Sequence, residues 1–467
     1  MNNFQLLIGG RLEDGSGSMD VVNPATEKPF AAAPVASEDQ IDRAIAAARN
    51  AFDAWRETPF AERRDTLSRV IDAIASDRDE LARLLTLEQG KPLSAAMGEV
   101  DTTLEYMRYF AGLDIPVEVI AEDADRKVEI HRVALGPVAA IVPWNYPLLL
   151  MAFKLPPALL AGNTVVLKPA PTTPLSALRF GALVADIVPP GVINVIAGGD
   201  EVGPRLTSDP RIAKISFTGS TATGHLIMAS AASNLTRITL ELGGNDPALI
   251  LPDSDLEKVM PMIFAFAFGN SGQVCRAIKR VYVPRPMMDK AGAILSSLCG
   301  KAMVGDGMGP DIQFGPVQNA QQYQRVLRLF EAGASQGCVL PGGGPVKGAG
   351  YFFRPTVIAG VPNDNPLVLE EQFGPVIPLV AYDDMEEAIQ LANSGSFGLA
   401  ASVWGNDSTE TRRIAGRLDA GTVWINKHGD RLPNLPIAGA KHSGIGVELG
   451  QLGLLEYTQI KVINQAI

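Results

Sequence analysis

Apolar residues recur at intervals of three and four through the first part of the chain, the spacing of one face of an amphipathic helix. This pattern predicts helices over 41–55, 61–77 and 80–110, with a break in the last one at Gly90. From Val138 onward the pattern changes to short β-branched runs that alternate with apolar helical stretches. Such alternation predicts an α/β fold in which helices cover a parallel sheet.

Two successive α/β series follow from this pattern. The first has strands predicted at 138–142, 164–167, 192–196, 213–217 and 238–240, and helices at 148–160, 174–187 and 221–232. The second has strands predicted at 248–251, 280–283, 376–382, 400–404 and 421–425, and helices at 255–268, 287–300, 320–336 and 385–394. The boundary between them is predicted near Gly243 and Gly244, so a site between two domains is expected.

Two further segments fit neither series. Residues 117–132 and 455–467 alternate apolar and polar positions in the manner of edge strands, and we interpret them as an oligomerisation arm. Residues 341–350 are rich in glycine and are predicted to form a turn.

Composition excludes several classes of function. A chain of 467 residues is long enough for two or three domains, and its net charge of −11 argues against nucleic acid or an anionic membrane as a partner. The most apolar stretch, 148–167, contains a lysine and two prolines and is a poor membrane span. The N-terminus lacks the pattern of a secretory signal. Three scattered cysteines and four histidines predict a reduced cytoplasmic protein with no disulfide framework and no metal cluster.

One cysteine stands in a segment that suits a reactive thiol. Residues 268–275 read Phe-Gly-Asn-Ser-Gly-Gln-Val-Cys, a glycine-broken stretch after an apolar helical run. Arg276 comes next, and a neighbouring cation lowers the pKa of a thiol. Most buried cysteines are inert apolar residues, which is our interpretation of Cys299 and Cys338. Cys275 is the candidate nucleophile, although its spacing alone is equally compatible with an inert role.

A carboxylate and an amide upstream could complete the chemistry of that thiol. Glu241 ends a predicted strand between two leucines, where desolvation would raise its pKa toward the range of a general base, or it could merely cap a turn. Asn145 lies in the stiff loop Pro-Trp-Asn-Tyr-Pro, either as a turn residue or as a donor to an oxyanion together with the N–H of Cys275. These are the parts needed to oxidise an aldehyde through a thioester.

The sequence evidence for a nucleotide-binding site is weaker than that for a reactive thiol. The common dinucleotide pattern of three closely spaced glycines is absent, but Gly219 and Gly224 follow a predicted strand and lead into a helix. A glycine turn at a helix N-terminus can hold a pyrophosphate. Lys168 ends its own strand and could reach a ribose or phosphate, or could be a solvated strand end.

The motifs Gly-Gln-Val-Cys at 272–275 and Leu-Glu-Leu-Gly-Gly at 240–244, in this order and spacing, resemble those of the aldehyde dehydrogenase superfamily. The resemblance covers essentially the whole chain. It implies a Rossmann-like nucleotide-binding domain, a second α/β catalytic domain and a small β arm for oligomerisation. The implied bounds are 1–115 with 135–243 for the first, 244–442 for the second, and 116–134 with 443–467 for the arm and tail.

The resemblance also implies roles for single residues. Cys275 matches the nucleophile, Glu241 the general base and Asn145 the oxyanion donor. The implied cofactor is NAD or NADP, and the residues matched to its binding segments are Trp144, Lys168, Gly203, Phe217, Gly219, Ser220, Leu242, Glu371 and Phe373. The residues assigned to the substrate pocket are Tyr146, Leu150, Phe153, Val274, Arg276 and Ile437.

The chain departs from the family pattern at several informative positions. Pro171 stands where members that prefer NAD often carry a glutamate, so relaxed use of both cofactors is expected. Phe153 and Gly269 replace the two arginines that bind the distal carboxylate of succinic semialdehyde, which predicts an apolar tunnel with room beside Gly269. His428 and Arg431 are candidates for a polar mouth, with plain surface positions as the alternative.

The sequence therefore predicts oxidation of an aldehyde, aromatic or medium-chain, to the carboxylic acid by a cytoplasmic homodimer or homotetramer. A semialdehyde dehydrogenase for a polar or carboxylated substrate is the alternative. A CoA-acylating enzyme is disfavoured because such enzymes generally lack the glutamate matched by Glu241. A structural protein built on the same fold is disfavoured by the intact set of Cys275, Glu241 and Asn145.

Overall fold

A computed structural model describes residues 4–430 and 432–467 of the chain. It contains two large sheets with helices packed against them and a small third sheet. The α-helices are Glu38–Glu57, Phe60–Ser76, Arg78–Gln89, Leu93–Ala111, Pro147–Ala152, Leu155–Leu160, Leu175–Val184, Val202–Thr207, Thr221–Ala232, Leu256–Phe268, Met288–Lys301, Ala320–Ala334, Pro366–Leu369, Met385–Asn393, Ser408–Ala415 and Gly450–Leu455.

The first sheet has eight strands, and the five from Ile193–Val195 to Arg237–Glu241 are parallel to one another. Because parallel strands end at the same edge, Lys168, Thr218 and Glu241 come to one edge of this sheet. From one side to the other, the strands are Arg11–Glu13, Leu6–Ile8, Ile193–Val195, Thr164–Lys168, Pro137–Ile141, Lys214–Thr218, Arg237–Glu241 and Gly444–Ile445.

The second sheet has seven strands, and all pairs except the one at its Cys338–Val339 edge are parallel. Separate apolar clusters pack against this sheet. In order, the strands are Cys338–Val339, Thr356–Ala359, Val376–Tyr382, Ile278–Pro284, Asp246–Ile250, Ala400–Trp404 and Thr422–Ile425. The chain passes from the end of one sheet at Glu241 to the start of the other at Asp246 within five residues.

The third sheet is antiparallel and consists of Thr458–Ala466, Arg126–Ala134 and Glu118–Glu122. Both segments interpreted as an arm therefore pair with each other. Their apolar side chains are largely exposed, with Ile120 at 59% and Val462 at 57%. Not all of the predicted tail belongs here, because Gly444–Ile445 pairs with the edge of the first sheet.

Local chemistry explains the helix bounds near the N-terminus. Ser37 and Gln40 form a capping box at the start of the first helix. The predicted helix 80–110 is broken where expected, at Gly90, whose φ of 96° lies in the left-handed region. A Cβ at Gly90 would approach Pro24 and Pro316 to 2.8 Å, so a larger residue does not fit there.

Some predicted elements were wrong in detail. The single helix predicted over 148–160 is two short helices, because Pro156 and Pro157 cannot continue a helix begun at Pro147 and instead open a new one after Lys154. The glycine-rich turn over 341–350 includes a two-residue strand that pairs with Phe353–Arg354. The antiparallel ribbon of Gly17–Asn23 and Lys28–Val35 was not predicted.

Among the described residues, no helix is long and apolar enough to cross a membrane. The same part of the chain contains no group of three or more His, Cys, Asp or Glu side chains that could hold a metal ion.

Candidate active site

The candidate residues gather where the carboxyl edge of the first sheet meets the amino edge of the second. Glu241 and Thr218 end neighbouring strands of the first sheet in the same register. Cys275 lies three residues before the strand Ile278–Pro284 of the second sheet. Asn145 follows the strand Pro137–Ile141 and is 2% exposed.

Two cavities meet at these residues. One cavity, of about 280 Å³, and another, of about 360 Å³, share Asn145, Leu150, Thr218 and Cys275 in their walls. Glu241 lines only the second cavity. A thiol at such a junction can contact one molecule from each side.

The loop before Cys275 has an unusual backbone. Asn270, Ser271 and Gly272 all have positive φ values, of 50°, 55° and 72°. A Cβ at Gly272 would lie 2.3 Å from the carbonyl oxygen of Gly374, so only glycine fits. Consecutive left-handed residues are costly and persist only where the surroundings hold them, as at functional sites.

A buried ammonium group secures this loop. Lys279 Nζ donates to the carbonyl oxygens of Val274 and Cys275, each at 2.9 Å, and to the carboxylate of Glu371 at 3.0 Å. Burial raises the pKa of the Cys275 thiol, and the lowering effects of Arg276 and Lys279 only partly offset it. The expectation that Arg276 sets a low pKa is therefore wrong for this state of the protein, since desolvation outweighs the neighbouring cations.

The side chain of Asn145 links the two sides of the site. Its Nδ2 donates to the carbonyl oxygen of Gln273 at 2.9 Å. The main-chain carbonyl oxygen of Asn145 accepts from Asn270 Nδ2 at 3.1 Å and from Lys91 Nζ at 2.9 Å. The side chain of Asn145 and its own backbone are thus both held beside the thiol loop.

Glu241 is buried and 6% exposed, and its Oε1 has no hydrogen-bond partner within the described part of the chain. Burial raises the pKa of Glu241 well above its ordinary value, and the nearby carboxylate of Glu448 raises it further. Lys154 and Arg276 act in the opposite direction. The raised pKa moves this carboxyl group toward the range that suits a general base.

A polar network continues behind Glu241. Lys154 forms a buried ion pair with Glu448 and also donates to Thr218 Oγ1 at 2.7 Å. Ser216 Oγ donates to Glu448 at 3.4 Å and accepts from the hydroxyl of Tyr457 at 2.9 Å. This network was not predicted. Its one signal in the sequence was Lys154, a charge isolated in an apolar run that is almost never buried without a partner.

Six of the nine predicted cofactor residues line the first cavity: Trp144, Gly219, Ser220, Leu242, Glu371 and Phe373. The rings of Trp144 and Phe373 meet edge to face, with centroids 5.2 Å apart. Glu371 Oε1 also accepts from the N–H of Gly244 at 3.0 Å. A Cβ at Gly243 would lie 2.3 Å from Glu371 Oε2, so glycine at 243 allows this approach.

The other three predicted cofactor residues are not among those that line the first cavity. Lys168 ends its strand at the same sheet edge, and burial lowers its pKa to about 8. Phe217 is buried, and its ring would lie 2.3 Å from a Cβ at Gly219. Gly203 is in the short helix Val202–Thr207.

All six predicted pocket residues line the second cavity: Tyr146, Leu150, Phe153, Val274, Arg276 and Ile437. Phe153 stacks on Tyr106 with ring centroids 5.3 Å apart, which closes part of the cavity with an aromatic wall. The helix Leu93–Ala111 supplies much of the rest, a contribution that the sequence did not indicate. The charged groups in the wall are Glu99, Glu241, Arg276, Asp430 and Glu448.

The remaining predicted positions turn out differently. Gly269 has open space around it but is not in the wall of the second cavity. His428 belongs neither to a polar mouth nor to the surface. It is fully buried, with Nδ1 at 2.9 Å from Ser402 Oγ and Nε2 at 3.1 Å from the carbonyl oxygen of Arg276. Arg431 lies outside the described residues.

Comparisons with known proteins agree with this geometry. An NAD⁺ complex of an aldehyde dehydrogenase from Bacillus cereus superposes with a TM-score of 0.97 at 37% identity, covering 100% of this chain and 97% of that one. Betaine aldehyde dehydrogenase from Staphylococcus aureus, also in complex with NAD⁺, gives a TM-score of 0.95 at 34% identity over 99% and 94% of the two chains.

The sequence is likewise 37% identical to phenylacetaldehyde dehydrogenase from Pseudomonas fluorescens, over 97% of this chain and 94% of that protein. The sequence model of the aldehyde dehydrogenase family matches residues 12–463. With the family model spanning nearly the full length and the fold shared at this level, the chain belongs to the aldehyde dehydrogenase family.

Proposed function

We propose that this aldehyde dehydrogenase oxidises an apolar aldehyde, aromatic or medium-chain, to the carboxylic acid with NAD or NADP. The observation that supports this best is the placement of Cys275 and Asn145 where the two cavities meet. The first cavity suits a nucleotide and the second suits the aldehyde, so both would contact the thiol. Overall, aldehyde, water and oxidised cofactor become acid, reduced cofactor and a proton.

The first cavity fits the nicotinamide cofactor in three respects. Gly219 and Ser220 stand at the start of the helix Thr221–Ala232, where free N–H groups and the helix dipole favour a pyrophosphate. Glu371 offers a carboxylate to ribose hydroxyls, and Trp144 and Phe373 offer aromatic surfaces. When bound, the cofactor supplies the hydride acceptor of the reaction.

In the proposed mechanism, the Cys275 thiolate adds to the carbonyl carbon of the aldehyde. The resulting oxyanion accepts hydrogen bonds from the Asn145 amide and the Cys275 N–H. Loss of hydride leaves a thioester on Cys275. Glu241 then takes a proton from a water molecule, which attacks the thioester and releases the acid.

The wall of the second cavity supports an apolar substrate. Its wall includes Tyr106, Tyr146, Leu149, Leu150, Phe153 and Ile437, and no arginine stands at 153 or 269. Four of its five charged groups are acidic, and two of these are already paired, Glu448 with Lys154 and Glu99 with Lys91. A carboxylate on the substrate would meet these charges, and among the described residues Arg276 is the one cation in the wall of this cavity.

Steady-state kinetics with hexanal, benzaldehyde and succinic semialdehyde, each with NAD and NADP, tests this assignment. We expect kcat/KM for hexanal or benzaldehyde to exceed that for succinic semialdehyde by on the order of a hundredfold, since an unpaired buried carboxylate costs several kcal/mol. A higher kcat/KM for succinic semialdehyde would contradict the apolar assignment and favour the semialdehyde alternative. Betaine aldehyde belongs in the panel, because a related enzyme is named for it.

The assembly and the division into domains are part of the same proposal. The third sheet exposes the apolar side chains of Val119, Ile120, Ile460 and Val462, which a second copy of the chain could cover. A homodimer or homotetramer is expected, measurable by light scattering. The boundary between the nucleotide-binding and catalytic domains would fall between Glu241 and Asp246, where the chain changes sheets.

A further inference from the structure

The proposed mechanism makes no use of a buried ion pair beside the site. Lys91 and Glu99 form a salt bridge in which the side chains are 1% and 0% exposed. Lys91 stands between the helices Arg78–Gln89 and Leu93–Ala111, and Glu99 lies in the second of these. Burying two charges is unfavourable unless further hydrogen bonds satisfy them, so their other contacts show what the pair does.

The further polar contacts of the pair converge on one five-residue segment. Lys91 Nζ donates to the carbonyl oxygen of Asn145 at 2.9 Å and lies 3.8 Å from the ring centroid of Tyr146. Glu99 Oε1 accepts from the N–H groups of Leu148 and Leu149 at 3.1 and 3.3 Å. The ammonium therefore holds the start of the segment 145–149, and the carboxylate holds its end.

This segment would be poorly fixed by its own sequence. The helix Pro147–Ala152 has six residues, too short to be stable alone, and its first N–H groups have no intrahelical acceptor. Glu99 supplies that acceptor as a negative charge at the helix N-terminus, where the dipole favours it. The turn at Asn145 and Tyr146 thereby gains a fixed point on each side.

The turn that carries Lys91 is closely packed against backbone from another part of the chain. A Cβ at Gly315 would lie 1.9 Å from the carbonyl oxygen of Gly90, and one at Gly307 would lie 2.4 Å from that of Lys91. The Gly307 carbonyl oxygen also accepts from the N–H of Leu93 at 2.9 Å. Backbone from the second half of the chain thus packs directly on the turn that carries Lys91.

We propose that Lys91 and Glu99 are positioning residues that set the Asn145 amide relative to Cys275. Few contacts separate the ion pair from the thiol, because Asn145 Nδ2 donates to the carbonyl oxygen of Gln273, two residues before Cys275. A small shift of the Asn145 backbone would move its amide away from the oxyanion position. The inference rests on the proposed oxyanion role of Asn145.

A double-mutant cycle tests this coupling. The first arm is Lys91→Met with Glu99→Gln, which removes both charges with little change of shape and keeps an oxygen for the N–H groups of Leu148 and Leu149. The second arm is Asn145→Ala, and the third combines all three changes. The measurement is the single-turnover rate of NADH formation from hexanal and NAD, which reports hydride loss before thioester hydrolysis.

We expect the charge replacement to slow this step by about ten- to a hundredfold in the parent protein, the scale of a small misplacement of a reacting group. In the Asn145→Ala background it should change the rate less than threefold, because no amide remains to be positioned. Alkylation of Cys275 by iodoacetamide, which needs no oxyanion donor, should keep its rate. A merely structural role would alter alkylation as well.

Lys214→Met is the matched control, because Lys214 is also buried, near the Glu456 carboxylate and the Tyr457 ring, at the opposite end of its strand from Thr218. It should leave the single-turnover rate within about twofold of the parent. If the triple-change protein does not fold, Glu99→Gln alone serves in the same cycle. Equal slowing in both backgrounds would overturn the positioning role. A normal rate in Asn145→Ala would instead overturn the oxyanion assignment on which it rests.

Discussion

Asn145 Nδ2 donates a hydrogen bond to the main-chain oxygen of Gln273, 2.9 Å away, and so joins the loop after a strand of the first sheet to the loop that carries Cys275. An amide NH₂ group has two donors, so one can serve this bond while the other serves an oxyanion. The bond fixes the donor and the proposed nucleophile relative to each other. The candidate chemistry therefore depends on contact between the two halves of the chain.

Replacement of the thiol tests the nucleophile. Cys275→Ala should abolish aldehyde oxidation, because hydride leaves only after sulfur has added to the carbonyl carbon. Cofactor affinity, measured by calorimetry with NAD, should change little, since Cys275 is one of many residues in the wall of the first cavity. Cys299→Ala is the matched control and should stay active, because Cys299 packs in a core cluster of the second sheet. Appreciable turnover by Cys275→Ala would contradict the assignment.

The fold, and the gathering of Cys275, Glu241 and Asn145 in one place, could be predicted because their signals are local. Glycine breaks and β-branched runs mark where strands begin and end: Glu241 ends a strand, Asn145 follows one and Cys275 precedes one. The alternation of strands and helices also predicted a parallel sheet, and the strands of such a sheet share one carboxyl edge.

What could not be predicted depends on distant residues. Lys154 and Glu448 are 294 positions apart and pair only because the C-terminal segment returns to the first sheet. The ring nitrogens of buried His428 face Ser402, the Arg276 carbonyl oxygen and the Asp246 carboxylate, and none of these is near it in the chain. The adjacent Arg276 led to the expectation of a lowered pKa for the Cys275 thiol. Burial, which depends on the whole fold, outweighs Arg276 and raises that pKa.

Replacement of the proposed base separates the two chemical steps. Glu241→Gln should slow thioester hydrolysis by about 10²- to 10⁴-fold, the usual contribution of a general base. Thioester formation should be affected less, because Glu241 is not required for hydride loss. Stopped-flow mixing with hexanal and NAD should then show a burst of NADH followed by a slow steady state. A steady-state rate equal to that of the parent protein would rule out the role of base.

The pH dependence of that hydrolysis should respond to Glu448. Burial and the Glu448 carboxylate both raise the pKa of Glu241, and only the deprotonated form accepts a proton from water. The hydrolysis rate should therefore rise with pH through a pKa above the ordinary glutamate value. Glu448→Gln removes one repelling charge and leaves the Lys154 ammonium unopposed, so the rising limb should move to lower pH.

The matched control is Glu456→Gln, which neutralises a carboxylate in the same region that lines neither cavity. Glu456→Gln should leave the rising limb of the pH–rate profile at the same pH as in the parent protein. The limb is measured as the steady-state kcat under conditions where a burst shows hydrolysis to be rate-limiting. A limb that moves to higher pH in Glu448→Gln, or moves equally in the control, would contradict an electrostatic effect of Glu448 on Glu241.

Cofactor preference is the point at which the structure changes the expectation from sequence most. Because position 171 is a proline, no glutamate is there to repel the 2′-phosphate of NADP. Lys168, considered without its neighbours, would attract that phosphate. However, Asp200 and Glu201 lie close enough to Lys168 to raise its pKa against the lowering effect of burial, which leaves it at about 8. A phosphate beside Lys168 would also meet these two carboxylates. We therefore predict that NAD is used better than NADP, although both are accepted.

The variant Glu201→Gln tests this preference. It keeps an oxygen for the N–H of Gly199 and removes one charge, so it should lower the NAD-to-NADP ratio of kcat/KM by about tenfold, or about 1.4 kcal/mol. Asp186→Asn, an equal change of net charge at an exposed position, should leave that ratio unchanged. A ratio that responds to both variants alike would show that overall charge, and not the carboxylate beside Lys168, discriminates between the cofactors.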